Sequence, residues 1–223
     1  MENVNNLIGK CYGRMRSRKL TSVQAHLFET LFQSVSITAF SDLVNVQTYS
    51  KIFVEVGFGY GEHIAQFAMQ HADALFIGCE PFVNGIASLL AKIDRYNIKN
   101  IRIFRGDAKL LINEVSDNLL TGIFLLFPDP WPKRRHIQRR VLQEDTLVMM
   151  HNKLRKSGML RVATDHPEYQ SWVRKLLTQA AIQGLFEIKF FDSNTRPSEQ
   201  SWPRTRYEQK ALENIMYIEF TKV

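Results

Sequence analysis

The residues with chemistry to offer stand at the ends of short apolar runs. Glu55-Val56-Gly57-Phe58-Gly59-Tyr60-Gly61 closes a β-branched run that begins at Ile52. Gly57 and Gly59 permit a tight turn and let a ligand come close to the backbone. A dinucleotide turn of the GxGxxG type needs a third glycine at position 62, where Glu62 stands. An acid opening the next helix, with Glu55 nearby, repels a pyrophosphate. The same carboxylates suit a cation. Glu80 follows the run Ala74–Cys79, and Asp107 follows Ile101–Phe104 within Gly106-Asp107-Ala108. A carboxylate at Glu80 can accept both hydroxyls of a ribose, and Asp107 is placed for an adenine edge. S-adenosylmethionine carries an ammonium, a sulfonium, a ribose and an adenine, so it is the expected cofactor.

A second constellation is Phe127-Pro128-Asp129-Pro130-Trp131-Pro132-Lys133-Arg134-Arg135-His136, after the apolar run Gly122–Phe127. Amino-group methyltransferases carry a related Asp/Asn-Pro-Pro-aromatic turn at this point. Here prolines flank the acid, so the Asp129 side chain is held rigidly toward the cofactor. Arg134, Arg135, Arg139 and Arg140 follow it without an intervening acid and are candidates for contacts to an RNA backbone. A second acid-free basic stretch contains Lys10, Arg14, Arg16, Arg18 and Lys19. Either cluster alone reads equally well as a solvated face, but two of them flanking one catalytic core favour nucleic acid.

These residues must be positioned by alternating strands and helices. Strands are expected at Ile52–Val56, Ala74–Cys79, Ile101–Phe104, Gly122–Phe127 and Gly158–Ala163. Helices are expected at Glu62–His71, Val83–Tyr96, Arg140–Leu154 and from Pro167 through about Ala180. Phe186–Phe191 and Ile215–Phe220 are late strands with no helix-length pattern between them, which predicts antiparallel pairing. The fold class is α/β: a single doubly wound, mostly parallel sheet of the Rossmann-like class I methyltransferase type, with an antiparallel strand near the C-terminus. Residues 1–50 are expected to form a basic segment and a helix packed on the core, and residues 51–223 the methyltransferase domain. Residues 192–207 are polar with two prolines and suggest a mobile loop, in which Trp202 could stack on a base.

Composition narrows the class. The chain has 223 residues, 45% hydrophobic and 23% charged, within the range of globular proteins and outside disordered or collagen-like ones. Its longest clean apolar run is Ile123–Phe127, far below the ~18 residues of a membrane span, and its start lacks a secretory pattern. Cys11 and Cys79 have no CxxC spacing, which argues against a disulfide framework and a cysteine zinc site and suits a reducing, cytoplasmic location. No histidine pair has metal-ligand spacing, so no metal is expected. His63, His71 and His151 read as helix-surface or satisfied residues, and Trp172 as helix packing. A net charge of +7 and a pI near 9.5 fit a polyanionic partner.

The sequence closely resembles the bacterial tRNA (guanine-N7-)-methyltransferase family. The match runs from Gly13-Arg14 through Leu20, Val54 through Gly59, Gly78-Cys79-Glu80, Gly106-Asp107-Ala108 and Phe127 through His136. It continues through Ala163-Thr164-Asp165-His166 to Thr205-Arg206-Tyr207-Glu208. The resemblance implies methyl transfer from S-adenosylmethionine to N7 of guanine at position 46, in the variable loop of tRNA. It also implies that Glu55, Glu80, Asp107 and Asp129 line the cofactor site, with Asp129 catalytic. Lys133, Asp165, Thr205, Arg206, Tyr207 and Glu208 then correspond to substrate-contacting positions. After Glu208 some members have a glycine-containing stretch where this chain has Gln209-Lys210-Ala211. A monomer or homodimer with no obligatory protein partner is expected. The competing readings are an amino-group RNA methyltransferase and a basic RNA-binding module with a vestigial pocket. The second predicts eroded acids at the strand ends, yet Glu55, Glu80, Asp107 and Asp129 all remain.

Overall fold

A computed structural model describes residues 19–43, 48–179, 182–192, 194–198, 202–205, 208 and 214–223. Eight strands form one sheet in the order β1-β4-β3-β2-β5-β6-β8-β7. They are β1 (Ser36–Ile37), β2 (Lys51–Val56), β3 (Ala74–Cys79), β4 (Ile101–Phe104), β5 (Leu120–Leu126), β6 (Leu154–Thr164), β7 (Phe186–Phe191) and β8 (Met216–Lys222). The pairs from β1 to β6 are parallel, and β8 runs antiparallel between β6 and β7. From β2 the chain winds outward through β3 and β4, then returns to the other side of β2 with β5. The order therefore reverses between β2 and β5, where open α/β sheets bind ligands beyond their carboxyl ends.

Among the described residues, seven α-helices cover the faces: α1 (Ser22–Glu29), α2 (Leu31–Val35), α3 (Glu62–Gln70), α4 (Val83–Tyr96), α5 (Ala108–Glu114), α6 (Glu144–Lys153) and α7 (Pro167–Leu176). Period-two alternation along β2 decides what each face receives. Ile52, Val54 and Val56 join the core under α5, α6 and α7, whereas Phe53 packs with Phe67, Phe76 and Phe124 under α3 and α4. Phe53 stacks on Phe76 at 5.1 Å between ring centroids. Each fully buried side chain of this size contributes about 1.5–3 kcal/mol of transfer free energy. Glu55 shares the Phe53 face and so points toward α3. α1, begun by a Thr21–Gln24 capping box, packs on α4.

Several boundaries differ from the sequence expectation, each for a local reason. The helix expected from Arg140 starts at Glu144, because Arg134–Arg139 form a 3-10 turn and Arg140 is extended. Thr146 Oγ1 accepts from the Gln143 N–H at 2.8 Å and fixes that start. The fifth expected strand begins at Leu154 rather than Gly158, with a register irregularity opposite Leu120 and Gly122. α7 stops at Leu176. α5 was not legible: it is a seven-residue helix begun by the Asp107 side chain, too short to display a period.

Candidate active site

A cavity of about 610 Å³ opens over the β2/β5 reversal, lined by the ends of β2, β3 and β5 and the segments that follow β4 and β5. Gly57 and Gly59 adopt φ of +71° and +56°, left-handed conformations that side-chain-bearing residues rarely hold. This folds the turn back so that the Gly59 N–H donates to Glu80 Oε2 at 2.8 Å. Glu80 Oε1 accepts from the Phe82 N–H at 3.0 Å. Both oxygens are thus oriented by backbone donors while each retains acceptor capacity for a ligand hydroxyl. On the next strand end, Asp107 Oδ1 accepts from the Lys109 N–H at 3.0 Å and caps α5, with the residue still lining the cavity. Glu55 is buried and its Oε2 lies 2.7 Å from His63 Nδ1.

Charge in the cavity is unbalanced. Burial pushes the Glu80 carboxyl up to about 7; the Phe82 and Gly59 N–H groups pull it down, and Asp129 and Glu55 push it further up. A site that crowds carboxylates around a desolvated one favours a positively charged occupant. Apolar contact is available beside it, since Tyr60 and Phe82 meet edge to face at 5.9 Å and both line the cavity. This donor set fits S-adenosylmethionine: oriented carboxylate oxygens for hydroxyls, acidic groups for cationic centres, and aromatic surface for a purine.

Asp129 stands at the cavity mouth and is exposed. The turn that carries it leaves β5 with Phe127 at φ +53° and ends with Trp131 at φ +42°. The Phe127 N–H donates to the Ala163 carbonyl at 2.8 Å, which ties the turn to the end of β6. Beyond Trp131 the surface turns basic. Lys133, Arg134 and Arg135 are exposed, and Arg139 lies 5.0 Å over the Trp131 ring while lining the cavity. His136, desolvated and next to Arg139, Arg135 and Lys133, titrates below its ordinary value.

A family model described as "Putative methyltransferase" matches residues 49–218. The tRNA (guanine-N(7)-)-methyltransferase of Zymomonas mobilis is 40% identical over 175 residues, covering 77% of this chain and 76% of that protein. The same-named protein of Caulobacter vibrioides is 33% identical over 216 residues, covering 96% and 95%. This chain belongs to the tRNA (guanine-N7-)-methyltransferase family. The structure of the 16S rRNA methyltransferase KamB superposes with a TM-score of 0.58 at 16% identity, over 79% of this chain and 90% of that one. An rRNA methylase from Streptococcus thermophilus gives 0.55 at 11% identity, over 82% and 92%. These likenesses show the class I methyltransferase fold.

In this tRNA (guanine-N7-)-methyltransferase family member the cavity gathers Glu55, Gly57, Gly59, Glu80, Asp107, Asp129 and Thr205. Lys133 and Asp165 lie outside its lining, as does Glu208. Arg206 and Tyr207 lie outside the described residues, as does the Lys10–Arg18 part of the first basic stretch. Thr205 and Glu208 cap each other: the Thr205 N–H donates to Glu208 Oε2 at 2.8 Å, and the Glu208 N–H donates to Thr205 Oγ1 at 3.2 Å. Glu208 Oε1 also accepts from Arg196 Nε and the Tyr217 hydroxyl, each at 2.8 Å. The carboxylate is therefore committed to protein partners on both oxygens.

Two expectations need correction. Arg140 does not face an RNA backbone: it is buried, and its guanidinium donates to the Pro130 and Trp131 carbonyls. The described part of 192–207 is not a loose loop, because Arg196 Nη2 donates to the Trp202 carbonyl and Trp202 is fully buried against Tyr217 and Arg161. Trp202 therefore cannot stack on a base. His63, expected as a surface or satisfied histidine, is a buried one, and the partner of its Nδ1 is Glu55. The signal was eight-residue spacing across a strand, a glycine turn and the first turn of a helix. Trp172 packs as expected, its indole N–H donating to the Leu142 carbonyl.

Proposed function

We propose that this protein transfers the methyl group of S-adenosylmethionine to N7 of a guanine in the variable loop of tRNA, in the cytoplasm. One observation carries the reading: an acid-lined cavity with a desolvated Glu80 opens through Asp129 onto a basic rim. A small cation fits inside, and a polyanion fits outside. The bound cofactor supplies an electrophilic methyl on its sulfonium.

The chain's own residues then hold and polarise. Glu80 fixes the ribose through the two oxygens that Gly59 and Phe82 orient. Asp107 and the Tyr60–Phe82 surface receive the adenine. Guanine N7 presents an available lone pair, so no base is required before attack, and alignment alone can contribute roughly 7–11 kcal/mol. Positive charge develops on the guanine as N7 is alkylated, and the Asp129 carboxylate at the cavity mouth stabilises it. Asp165, which follows β6 outside the cavity lining, accepts from the guanine N1 and N2 groups in this reading. Lys133, Arg134, Arg135 and Arg139 hold phosphates around a nucleotide splayed from the tRNA fold.

An amino-group acceptor is less well served. Such chemistry needs acceptors for an exocyclic N–H, and Arg140 already occupies one lone pair on each of the Pro130 and Trp131 carbonyls. Radiolabelled methyl transfer to unmodified tRNA, followed by alkaline aniline cleavage at the modified base, tests the proposal. Cleavage at one variable-loop guanine is expected. Label on an exocyclic amine, or none incorporated, rejects it.

A further inference from the structure

Trp131 holds a backbone conformation that its own sequence opposes twice over. A bulky residue at φ +42° is a steric outlier, and Trp131 directly precedes Pro132, which biases it toward extended conformations. Such an outlier persists only where its surroundings over-determine it. Arg140 supplies that determination. Its Nε donates to the Pro130 carbonyl at 2.9 Å and its Nη2 to the Trp131 carbonyl at 3.2 Å. The guanidinium is itself fixed from behind, 5.2 Å from the Trp172 ring and 5.8 Å from the Tyr169 ring, both on α7. Tyr169 is fully buried, and Trp172 is tied to the Leu142 carbonyl at 2.7 Å. Burial lowers the Arg140 pKa from its ordinary value, but a guanidinium stays charged at any physiological pH.

We infer that Arg140 is the positioning residue of the acceptor turn, a rigid two-pronged clamp on consecutive carbonyls that sets Asp129 and the Trp131 indole at the cavity mouth. The planar fork holds both carbonyls with fixed donor spacing while its flat face lies against the Trp172 and Tyr169 rings, a combination that a compact lysine ammonium does not reproduce. The inference rests on the reading of Asp129 as the group that meets the reacting guanine. It separates Arg140 from its exposed neighbours Arg134 and Arg135, which an RNA backbone can reach.

The test compares Arg140→Lys, Trp172→Phe and Asp129→Asn in the full chain. It measures kcat and KM for unmodified tRNA, cofactor affinity by calorimetry, and the salt dependence of tRNA binding. Arg140→Lys should lower kcat by about tenfold to a hundredfold, with cofactor affinity and the tRNA salt slope unchanged. Trp172→Phe, which keeps the arginine but removes the indole N–H anchor behind it, should lower kcat several-fold with the same split. It also carries the test if Arg140→Lys does not fold. Adding Arg140→Lys to Asp129→Asn should cost little more than Asp129→Asn alone, because both act on one group. Unchanged kcat with a raised KM for tRNA would make Arg140 an RNA contact and overturn the inference. So would full multiplication of the two defects in the double variant. If Asp129→Asn alone retains full turnover, the underlying reading of Asp129 fails instead.

Discussion

The two halves of the candidate site are built on opposite plans. The half over β2, β3 and β4 is made by backbone. Glycines at positive φ, two N–H donors on Glu80 and an N-cap at Asp107 fix acidic groups within a partly closed cavity. The half after β5 is made by side chains reaching across the fold. An exposed acid sits on a proline turn that Arg140 grips from behind, with basic residues around it. The difference follows from what each must bind. A small cationic molecule is best served by preset, desolvated acceptors. A large polyanion that brings one base into place is best served by an open, basic rim and one well-aimed carboxylate.

Removing the carboxylate of Asp129 attacks the open half at its centre. Asp129→Asn keeps the turn, since the side chain is exposed and the prolines remain. Loss of one preorganised electrostatic partner typically costs 10²–10³ in turnover, about 2.7–4 kcal/mol. Single-turnover rates should fall by that order while cofactor affinity holds within a few-fold. Rates near those of the unaltered enzyme would remove Asp129 from the chemistry.

The closed half should respond in stability first. His63→Leu leaves the buried Glu55 carboxylate without the partner 2.7 Å away. Stranding a buried charge costs about 3 kcal/mol or more, so the unfolding midpoint in urea should drop clearly. An unchanged midpoint means that the pair is not a fixed part of the cavity wall.

Glu80→Gln tests binding in the same half. Hydrogen bonds to a charged acceptor contribute roughly 1.5–3 kcal/mol each, so cofactor affinity measured by calorimetry should weaken at least tenfold. An identical dissociation constant would sink the ribose assignment. The pH dependence follows from the same residue. Its folded pKa of about 7 lies above the ordinary value of 4.5, so the ligand-free fold holds this proton more tightly than the unfolded chain. That contribution to stability is fully present below about pH 4.5 and is lost as pH rises through about 7. Cofactor binding prefers the ionised form, so it should release a proton near pH 6–7, and affinity should decline by up to about tenfold per pH unit below 7. Calorimetry in buffers of different ionisation enthalpy reads that proton, and Glu80→Gln should abolish it.

The smallest effect is expected at the rim. Each phosphate contact contributes about 0.7–0.9 to the slope of log affinity against log salt. Neutralising Arg134 and Arg135 together should flatten the tRNA-binding slope by about 1–2 and leave cofactor affinity alone. An unaltered slope reduces these arginines to a solvated face and moves the burden to other basic residues.

The contrast also explains which features were legible in advance. Backbone-built chemistry leaves a local trace: glycines where the turn must be left-handed, and an acid where each apolar run stops. Glu55, Gly57, Gly59, Glu80 and Asp107 were therefore placed at strand ends from residue type and spacing alone. The antiparallel pairing of Phe186–Phe191 with β8 was equally readable, because no crossover helix separates the two strands. Side-chain-built chemistry leaves no such trace. Arg140 looks in sequence like Arg134, Arg135 and Arg139, and only the packing of α7 turns it inward between Tyr169 and Trp172. Trp202 lies in a polar, proline-bearing stretch, and only Arg196 and Tyr217, from either side of it in the chain, reveal that it is core.

Sequence alone determined the strand–helix alternation, the reversal point that a parallel sheet of this kind must have, and the acids that flank it. Those features depend on local periodicity and on one rigid rule of chain topology. Tertiary structure decided how the polar side chains are spent. It committed Glu208 to Arg196 and Tyr217, joined Glu55 to His63, and assigned one arginine of a basic run to the inside while leaving its neighbours to solvent. A long flexible side chain has no preferred target until the surfaces around it exist, so its role is set by packing and not by its place in the chain.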